Sequence, residues 1–185
     1  MLGKSFNKDD SQPVHTLDSS YFEKMRGNQK SESRIALTDN IIATTGGLIA
    51  IIVLSFIAIP LGYPMVLGPM GASALLVFVA YAGPFSQPRH IFGGHLLSTL
   101  TALAVWDLFG RTHITIGITL ALVLFLMIFA KVLHPPAAAS AIVAINTEVG
   151  WGFLVTTMIC ALVLIAISVV YNNFFKDRQY PKQWI

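Results

Sequence analysis

Charged side chains are almost missing from most of this 185-residue chain. Between residues 40 and 175 charge is limited to five positions, and the rest is mainly Leu, Ile, Val, Ala, Phe and Gly. About a quarter of the residues in an ordinary globular domain are charged. The composition therefore excludes a soluble domain and indicates a membrane protein. The five charged residues are Arg89, Asp107, Arg111, Lys131 and Glu148.

Cysteine and catalytic signatures are equally scarce. Cys160 is the only cysteine, which excludes an intramolecular disulfide and any cysteine-based metal spacing. The chain has no Gly-x-Ser-x-Gly or His-Glu-x-x-His motif, no phosphate-binding loop and no paired carboxylates in its apolar part. We therefore expect no enzymatic activity, no catalytic residue, no cofactor and no bound metal ion.

An apolar signal sequence is also missing from the first 35 residues. Residues 1–39 carry six basic and six acidic side chains, unlike an acid-poor transit peptide. We expect residues 1–39 to be a polar, flexible cytoplasmic segment, residues 40–172 the transmembrane domain and residues 173–185 a basic cytoplasmic tail. The small basic excess fits membrane orientation better than nucleic-acid binding, so no nucleic acid is expected as a partner.

Hydrophobic runs of two lengths predict an all-α polytopic membrane protein. Four runs approach the roughly 20 residues that a spanning helix needs, and two shorter ones begin with proline. Proline suits the first turn of a helix, where its missing N–H removes no internal hydrogen bond. The long runs are residues 40–59, 91–109, 113–133 and 150–171, and the short ones are residues 69–82 and 136–145.

The two short segments share the pattern Pro-x-x-Ala-Ser-Ala, at residues 69–74 and 136–141, and each lies between two long runs. A long run, a short run and a second long run therefore follow one another twice along the chain. If the short segments cross the membrane, the copies are inverted, as in many secondary transporters. If they are re-entrant, the copies are parallel and four helices span. Counting basic residues slightly favours six crossings, and both alternatives leave the two termini in the cytoplasm.

A helix break at His134-Pro135-Pro136 lies between two apolar runs, at membrane depth. Backbone that is not helical persists there only where protein or a water-filled cavity surrounds it, because lipid offers no hydrogen-bond partner. An interrupted membrane helix is therefore a candidate substrate site.

Four motifs in a fixed order resemble those of the HPP family of integral membrane proteins. They are residues 68–74 (Gly-Pro-Met-Gly-Ala-Ser-Ala), 86–89 (Ser-Gln-Pro-Arg), 93–98 (Gly-Gly-His-Leu-Leu-Ser) and 134–138 (His-Pro-Pro-Ala-Ala). The resemblance covers about residues 40–172. It implies a small polytopic membrane protein of bacteria or plastid envelopes, with nitrite transport as the activity associated with plastid members. The chain departs from the family pattern at residues 137–139, alanines where many members have glycine, and at His90, where Asn is common.

A small anion suits the predicted site on physical grounds. Helices that start at Pro69 and Pro136 would direct unpaired N–H groups and the positive ends of their dipoles into the protein. Ser73 and Ser140 lie at matching positions one turn inside, where a hydroxyl reaches an anion or bonds back to its own helix. Gly71 and neighbouring small residues let the backbone approach a ligand closely, or let helices pack closely.

Histidines and a basic side chain complete the candidate site. His134 can donate to an anion or carry a proton, because imidazole titrates near neutral pH, or it can cap the preceding helix. His95 can face the same cavity or bond between helices. Arg89, which belongs to one of the four motifs, can supply a permanent cation or extend to the membrane surface. The predicted substrate-binding residues are Pro69, Gly71, Ser73, Arg89, His95, His134, Pro135, Pro136 and Ser140.

Together these patterns predict a transporter of a small monovalent anion, nitrite first, in a bacterial inner membrane. Two alternatives remain: a transporter or channel for another small solute, and an assembly protein without transport activity. The expected partners are the anion, the lipid bilayer and, as an open alternative, further copies of the same chain.

Overall fold

The computed structural model of the chain describes residues 36–184 together with Tyr21 and Met25. Most of the segment predicted to be polar and flexible, residues 1–39, lies outside the described residues. The chain divides into two units, residues 1–34 and 35–185. All the helices named below belong to the second unit.

Between residues 36 and 184 the chain is all helical, as its hydrophobic runs predict. Short 3-10 turns at Pro64–Val66 and Pro84–Ser86 lead into the second and third helices. The six helices are α1 (Leu37–Ala58), α2 (Leu67–Val79), α3 (Pro88–Phe109), α4 (His113–Phe129), α5 (Pro135–Asn146) and α6 (Gly152–Asn173).

Three helices, α1, α3 and α6, are long and apolar enough to cross a membrane, each with 22 residues. A fourth long span is not confirmed, because α4 has 17 residues and ends at Phe129, short of the predicted Leu133. The chain turns there: the Lys131 N–H bonds the Ile128 carbonyl and the Val132 N–H bonds the Met127 carbonyl. Lys131 adopts φ +55°, the left-handed conformation that commonly terminates a helix.

The two short segments do not begin where the prolines predict. α2 follows directly on the turn at Pro64–Val66, so Pro69 lies within its first turn. α5 begins at Pro135, with His134 as its N-cap and Pro136 as its second residue. Proline is tolerated throughout the first turn of a helix, where N–H groups have no intrahelical acceptor, so its position does not fix the helix start to the residue.

One face of the second unit carries five helix ends and is called the tail face below. Arg178, after α6, hydrogen-bonds Asp39 at the start of α1, the Phe78 carbonyl at the end of α2 and Asn172 at the end of α6. The start of α3 and the end of α4 meet on the same side, where Arg89 donates to the Ala130 carbonyl.

The opposite face carries the starts of α4 and α6 and the ends of α3 and α5. Arg111, before α4, donates to the Asn146 carbonyl at the end of α5, and Trp151, before α6, donates to Asp107 near the end of α3. Consecutive helices therefore run in alternate directions from α1 to α6. The two short helices run antiparallel to each other, because α2 ends at the tail face and α5 begins near it.

Small residues allow α3, which also contacts α4 and α6, to approach α5 closely. A Cβ added to Gly94 would lie 2.7 Å from the His134 Cβ, and one added to Gly93 would lie 2.8 Å from Val132 Cγ1. Ser98, one turn further along α3, donates a hydrogen bond to the Ala137 carbonyl. This packing brings α3 against the broken region of the chain.

The basic tail packs against the tail face. Arg178 is 6% exposed and Tyr180 is 1% exposed. The Tyr180 hydroxyl donates to the Ser86 carbonyl at 2.8 Å, and the Lys182 N–H donates to the Gln87 side chain at 2.8 Å. Residues 174–184 therefore form part of the folded unit.

Candidate functional site

Four polar side chains from three helices meet inside the second unit, and we call them the buried polar cluster. They are Ser73 on α2, His95 on α3, and His134 and Ser140 at the start and middle of α5. The first three are fully buried, and Ser140 is 1% exposed. Unpaired polar atoms at such depth cost several kcal/mol in an apolar surrounding, so their partners define what the cluster can do.

Each polar atom of the cluster has a partner at hydrogen-bond distance. Ser73 Oγ lies 2.9 Å from Nε2 of His95 and 2.9 Å from Nε2 of His134. On the far side of His95, Nδ1 lies 2.9 Å from Ser140 Oγ. His134 Nδ1 lies 2.7 Å from the carbonyl oxygen of Phe85, in the turn before α3. The two imidazole rings meet edge to face, with centroids 5.2 Å apart.

The Phe85 carbonyl fixes the direction of these bonds. A carbonyl oxygen only accepts, so His134 Nδ1 carries a hydrogen and donates to it. With one ring hydrogen, His134 accepts at Nε2 from the Ser73 hydroxyl. Ser73 Oγ in turn accepts from His95 Nε2, and the Ser140 hydroxyl donates to His95 Nδ1. Four bonds then run in one direction, from Ser140 to Phe85, without any ionised group.

A second acceptor allows a second arrangement. Ser73 Oγ lies 3.0 Å from the Pro69 carbonyl, one turn back on α2. If His134 gains a hydrogen at Nε2, Ser73 accepts from both imidazoles and donates to Pro69 instead. Every group stays bonded in both arrangements. The cluster can therefore hold one extra proton by rotating a single hydroxyl.

His134 is held by tertiary contacts rather than by its own helix. As N-cap of α5 it makes no side-chain capping bond, and its ring bonds the turn before α3. Gly94 has no Cβ to block it. The neighbouring histidine of α3, His90, donates from Nδ1 to the Leu133 carbonyl at 2.9 Å. Capping of α4 by His134, the structural alternative from the sequence, does not occur.

The remaining predicted site residues lie at different distances from the cluster. Pro69 contributes its carbonyl, and Pro136 is buried two residues after His134, whereas Pro135 is exposed. Gly71 faces α1, where the nearest atom to an added Cβ is Ile51 Cδ1 at 3.9 Å. Arg89 is exposed at the tail face. Five of the nine predicted residues thus form the cluster or bond to it, whereas Pro135, Pro136, Gly71 and Arg89 provide no hydrogen bond to its side chains.

Sequence reasoning overlooked the residues that hold the turn before α3. Ser86 donates to the Ala80 carbonyl at 2.7 Å, and the Gln87 side chain donates to the Gly83 carbonyl at 2.8 Å. These bonds position the Phe85 carbonyl that accepts from His134. The Ser-Gln-Pro-Arg motif is the signal that could have identified them, because two of its four residues serve the turn rather than a ligand.

Within the described part of the chain, no three His, Cys, Asp or Glu side chains are grouped so that they could hold a metal ion. The cluster consists of hydroxyls and imidazoles alone, which suits hydrogen bonding and proton binding.

Apolar helices that run in alternate directions around a buried polar cluster define an all-helical, multi-pass membrane protein. A family model described as the HPP transmembrane region matches residues 32–181. The chain therefore belongs to the HPP family, as its motifs predict.

Two curated relatives come from Dictyostelium discoideum, and both are named only as transmembrane proteins. One is 29% identical over 177 residues, which cover 89% of this chain and 57% of the relative. The other is 30% identical over 129 residues, which cover 65% of this chain and 45% of the relative. The chain thus spans about half the length of these relatives. No solved structure matches it significantly.

Proposed function

We propose that this chain is a membrane transporter of a small monovalent anion, with nitrite as the first candidate, and not an enzyme. The observation that carries the proposal is the buried polar cluster, which lies between the two Pro-containing short helices. Buried titratable side chains within a membrane domain are costly and commonly mark an ion or proton pathway. The resemblance to the HPP family supplies nitrite as the candidate.

The bond pattern of the cluster supports proton-coupled transport. A proton held by His134 would give the site a positive charge opposite an arriving anion. The proton and the anion would then cross together as a neutral pair. Desolvating a neutral pair costs far less than desolvating a lone anion. The titratable groups near His134 are His95 and His90, both on α3, so the cluster contains no permanent charge. For the anion to bind, Ser73 or Ser140 would have to break its present hydroxyl hydrogen bond and donate to the anion instead.

The alternating helix directions support six crossings rather than four. α1–α3 and α4–α6 then form two inverted copies, and the matching serines of the short helices, Ser73 and Ser140, both bond His95. Basic side chains predominate at the tail face, and this favours a cytoplasmic location for that face and both termini. A bacterial inner membrane remains the expected location.

The test is nitrite uptake into proteoliposomes that contain the purified chain, with nitrate, formate, chloride and bicarbonate as competitors. Uptake that rises with an imposed inward proton gradient supports a carrier, whereas uptake indifferent to the gradient supports a channel. His134→Ala should lower uptake and flatten the dependence of uptake on pH. The matched control is His113→Ala, which removes an exposed histidine at the start of α4. A folded protein that moves no tested anion would favour another solute or an assembly role.

A further inference from the structure

A cationic pocket lies on the tail face, between the start of α3 and the end of α4. Its volume is about 350 Å³, within the roughly 300–1,000 Å³ typical of small-molecule sites and larger than nitrite alone requires. It is lined by Gln87, Arg89, His90, Met127, Ile128, Lys131, Leu133 and Gln183.

The charge of this pocket has one sign. Arg89 and Lys131 contribute cationic side chains, and none of the described residues that line the wall is acidic. Arg89 Nη2 donates to the Ala130 carbonyl at 3.3 Å, which orients the guanidinium and leaves other N–H groups for a ligand. Arginine and lysine side by side are suited to an oxyanion such as phosphate.

Lys131 occupies a position where the fold favours glycine. Its φ is +55°, and the turn that ends α4 needs this left-handed backbone but no side chain. The local structure therefore does not account for a lysine here. A cation that persists in a strained conformation beside an oriented arginine points to a function of the side chain itself.

The other wall of the pocket is apolar and continues onto the outer surface of α4. Met127, Ile128 and Leu133 line it, and Ile128 is 58% exposed. Phe125 and Phe129 are exposed on the same helix. A ligand with a phosphate group and an acyl chain matches both walls, because basic pockets between membrane helices recognise anionic headgroups.

We propose that this pocket is a phosphate-binding site for Arg89 and Lys131, and that the phosphate belongs to an anionic phospholipid headgroup whose acyl chain lies along Ile128. Free inorganic phosphate has the same chemistry and is the other source. No residue of the buried polar cluster lines this pocket, so the proposal does not depend on anion transport.

The experiment measures lipid retained by the purified chain after exchange into mixed micelles with equal phosphatidylglycerol and phosphatidylcholine. The variants are Arg89→Gln and Lys131→Gly, and a separate arm adds inorganic phosphate without lipid. Lys131→Gly relieves the strained backbone, so its loss of lipid cannot be attributed to misfolding. The matched control is Lys176→Gln, which removes an exposed charge after α6 that does not line the pocket.

We expect the unmodified chain to retain phosphatidylglycerol preferentially, and each pocket variant to lose about fivefold in that preference. Lys176→Gln should retain it. Thermal protection by inorganic phosphate alone, lost in Lys131→Gly, would support the phosphate site and assign it to the free ion. Equal retention of both lipids together with no effect of phosphate would overturn the proposal, and so would an equal loss in Lys176→Gln.

Discussion

Gly94 and His134 lie so close that a Cβ on the glycine would stand 2.7 Å from the Cβ of the histidine. The same added atom would lie 3.2 Å from the Val132 carbonyl oxygen. Both neighbours belong to the stretch that leads into α5 and leave no flexible side-chain end to move aside. The missing side chain of Gly94 therefore determines where His134 stands relative to α3.

Gly94→Ala should separate α3 from α5 and lower the free energy of unfolding by about 2 kcal/mol, because overpacking in a dense interior forces backbone shifts. Gly117→Ala is the matched control, since an added Cβ at Gly117 meets nothing within 4 Å. It should leave stability unchanged or raise it by up to about 1 kcal/mol through helix propensity. Denaturant unfolding in detergent micelles would measure both variants. Similar stability of the two would contradict the close approach.

Ser73→Ala should remove the link between the two histidines. The Nε2 atoms of His95 and His134 would lose their shared partner inside the protein, at a cost of about 2 kcal/mol. Ser55→Ala is the control, because the Ser55 hydroxyl bonds back to the Ile52 carbonyl of its own helix and to no other described residue. That change should be nearly neutral. The thermal unfolding midpoints of both variants would be measured. A lower midpoint for Ser73→Ala alone would show that the hydrogen bonds of the cluster stabilise the fold, and that removal of a helical serine by itself does not destabilise it.

Arg178→Ala should destabilise the unit by at least about 2 kcal/mol, because bonds from a charged donor to buried acceptors are lost. The guanidinium donates to the Phe78 carbonyl at 2.8 Å and to Asn172 at 3.2 Å, and pairs with Asp39 at 3.2 Å. Lys176→Ala removes an exposed charge of the same tail and should change stability by less than about 0.5 kcal/mol. An equal effect of the two would show that the tail contributes through net charge alone.

Tyr180→Phe tests a burial effect on titration. Burial raises the pKa of the Tyr180 phenol above its ordinary value. A group whose pKa is higher in the folded state stabilises fully below its unfolded pKa, near 10, and this contribution is lost as pH rises further. The unmodified chain should therefore lose stability more steeply above about pH 10 than Tyr180→Phe. At neutral pH the variant should lose about 1 kcal/mol, because its bond to Ser86 is missing.

Parallel stability profiles for the two proteins above pH 10 would contradict the burial of Tyr180. Urea denaturation across an alkaline pH series would provide the comparison. Because the other tyrosines and lysines are present in both proteins, their titration cancels in the difference between the curves.

The hydrophobic runs predicted where the helices lie, but they did not predict the residues at which the helices end. The run through residues 113–133 is apolar to its end, yet α4 stops at Phe129 because the chain turns through Lys131. A lysine gives no local signal for left-handed backbone, which is ordinarily the position of glycine. The prolines likewise indicated two short helices without fixing their first residues, because the first turn tolerates proline at several positions.

The candidate site was likewise predicted only in part from the sequence. Ser73, His95, His134 and Ser140 were selected from motifs, and the structure brings them together. Sequence patterns gave no distances, so Arg89 and Gly71 were grouped with them although they face other surroundings. The Phe85 carbonyl could not be selected at all, since any residue supplies a backbone carbonyl.

By itself the sequence determined that this is a multi-pass helical membrane protein of the HPP family. The lengths of the apolar runs and the order of the motifs depend only on the order of residues along the chain. The direction of the hydrogen bonds in the buried polar cluster, the docking of Arg178 and the cationic pocket of Arg89 and Lys131 were decided by tertiary structure. Each depends on which groups from distant segments meet, and a hydrogen bond or ion pair is governed by distance and angle in space.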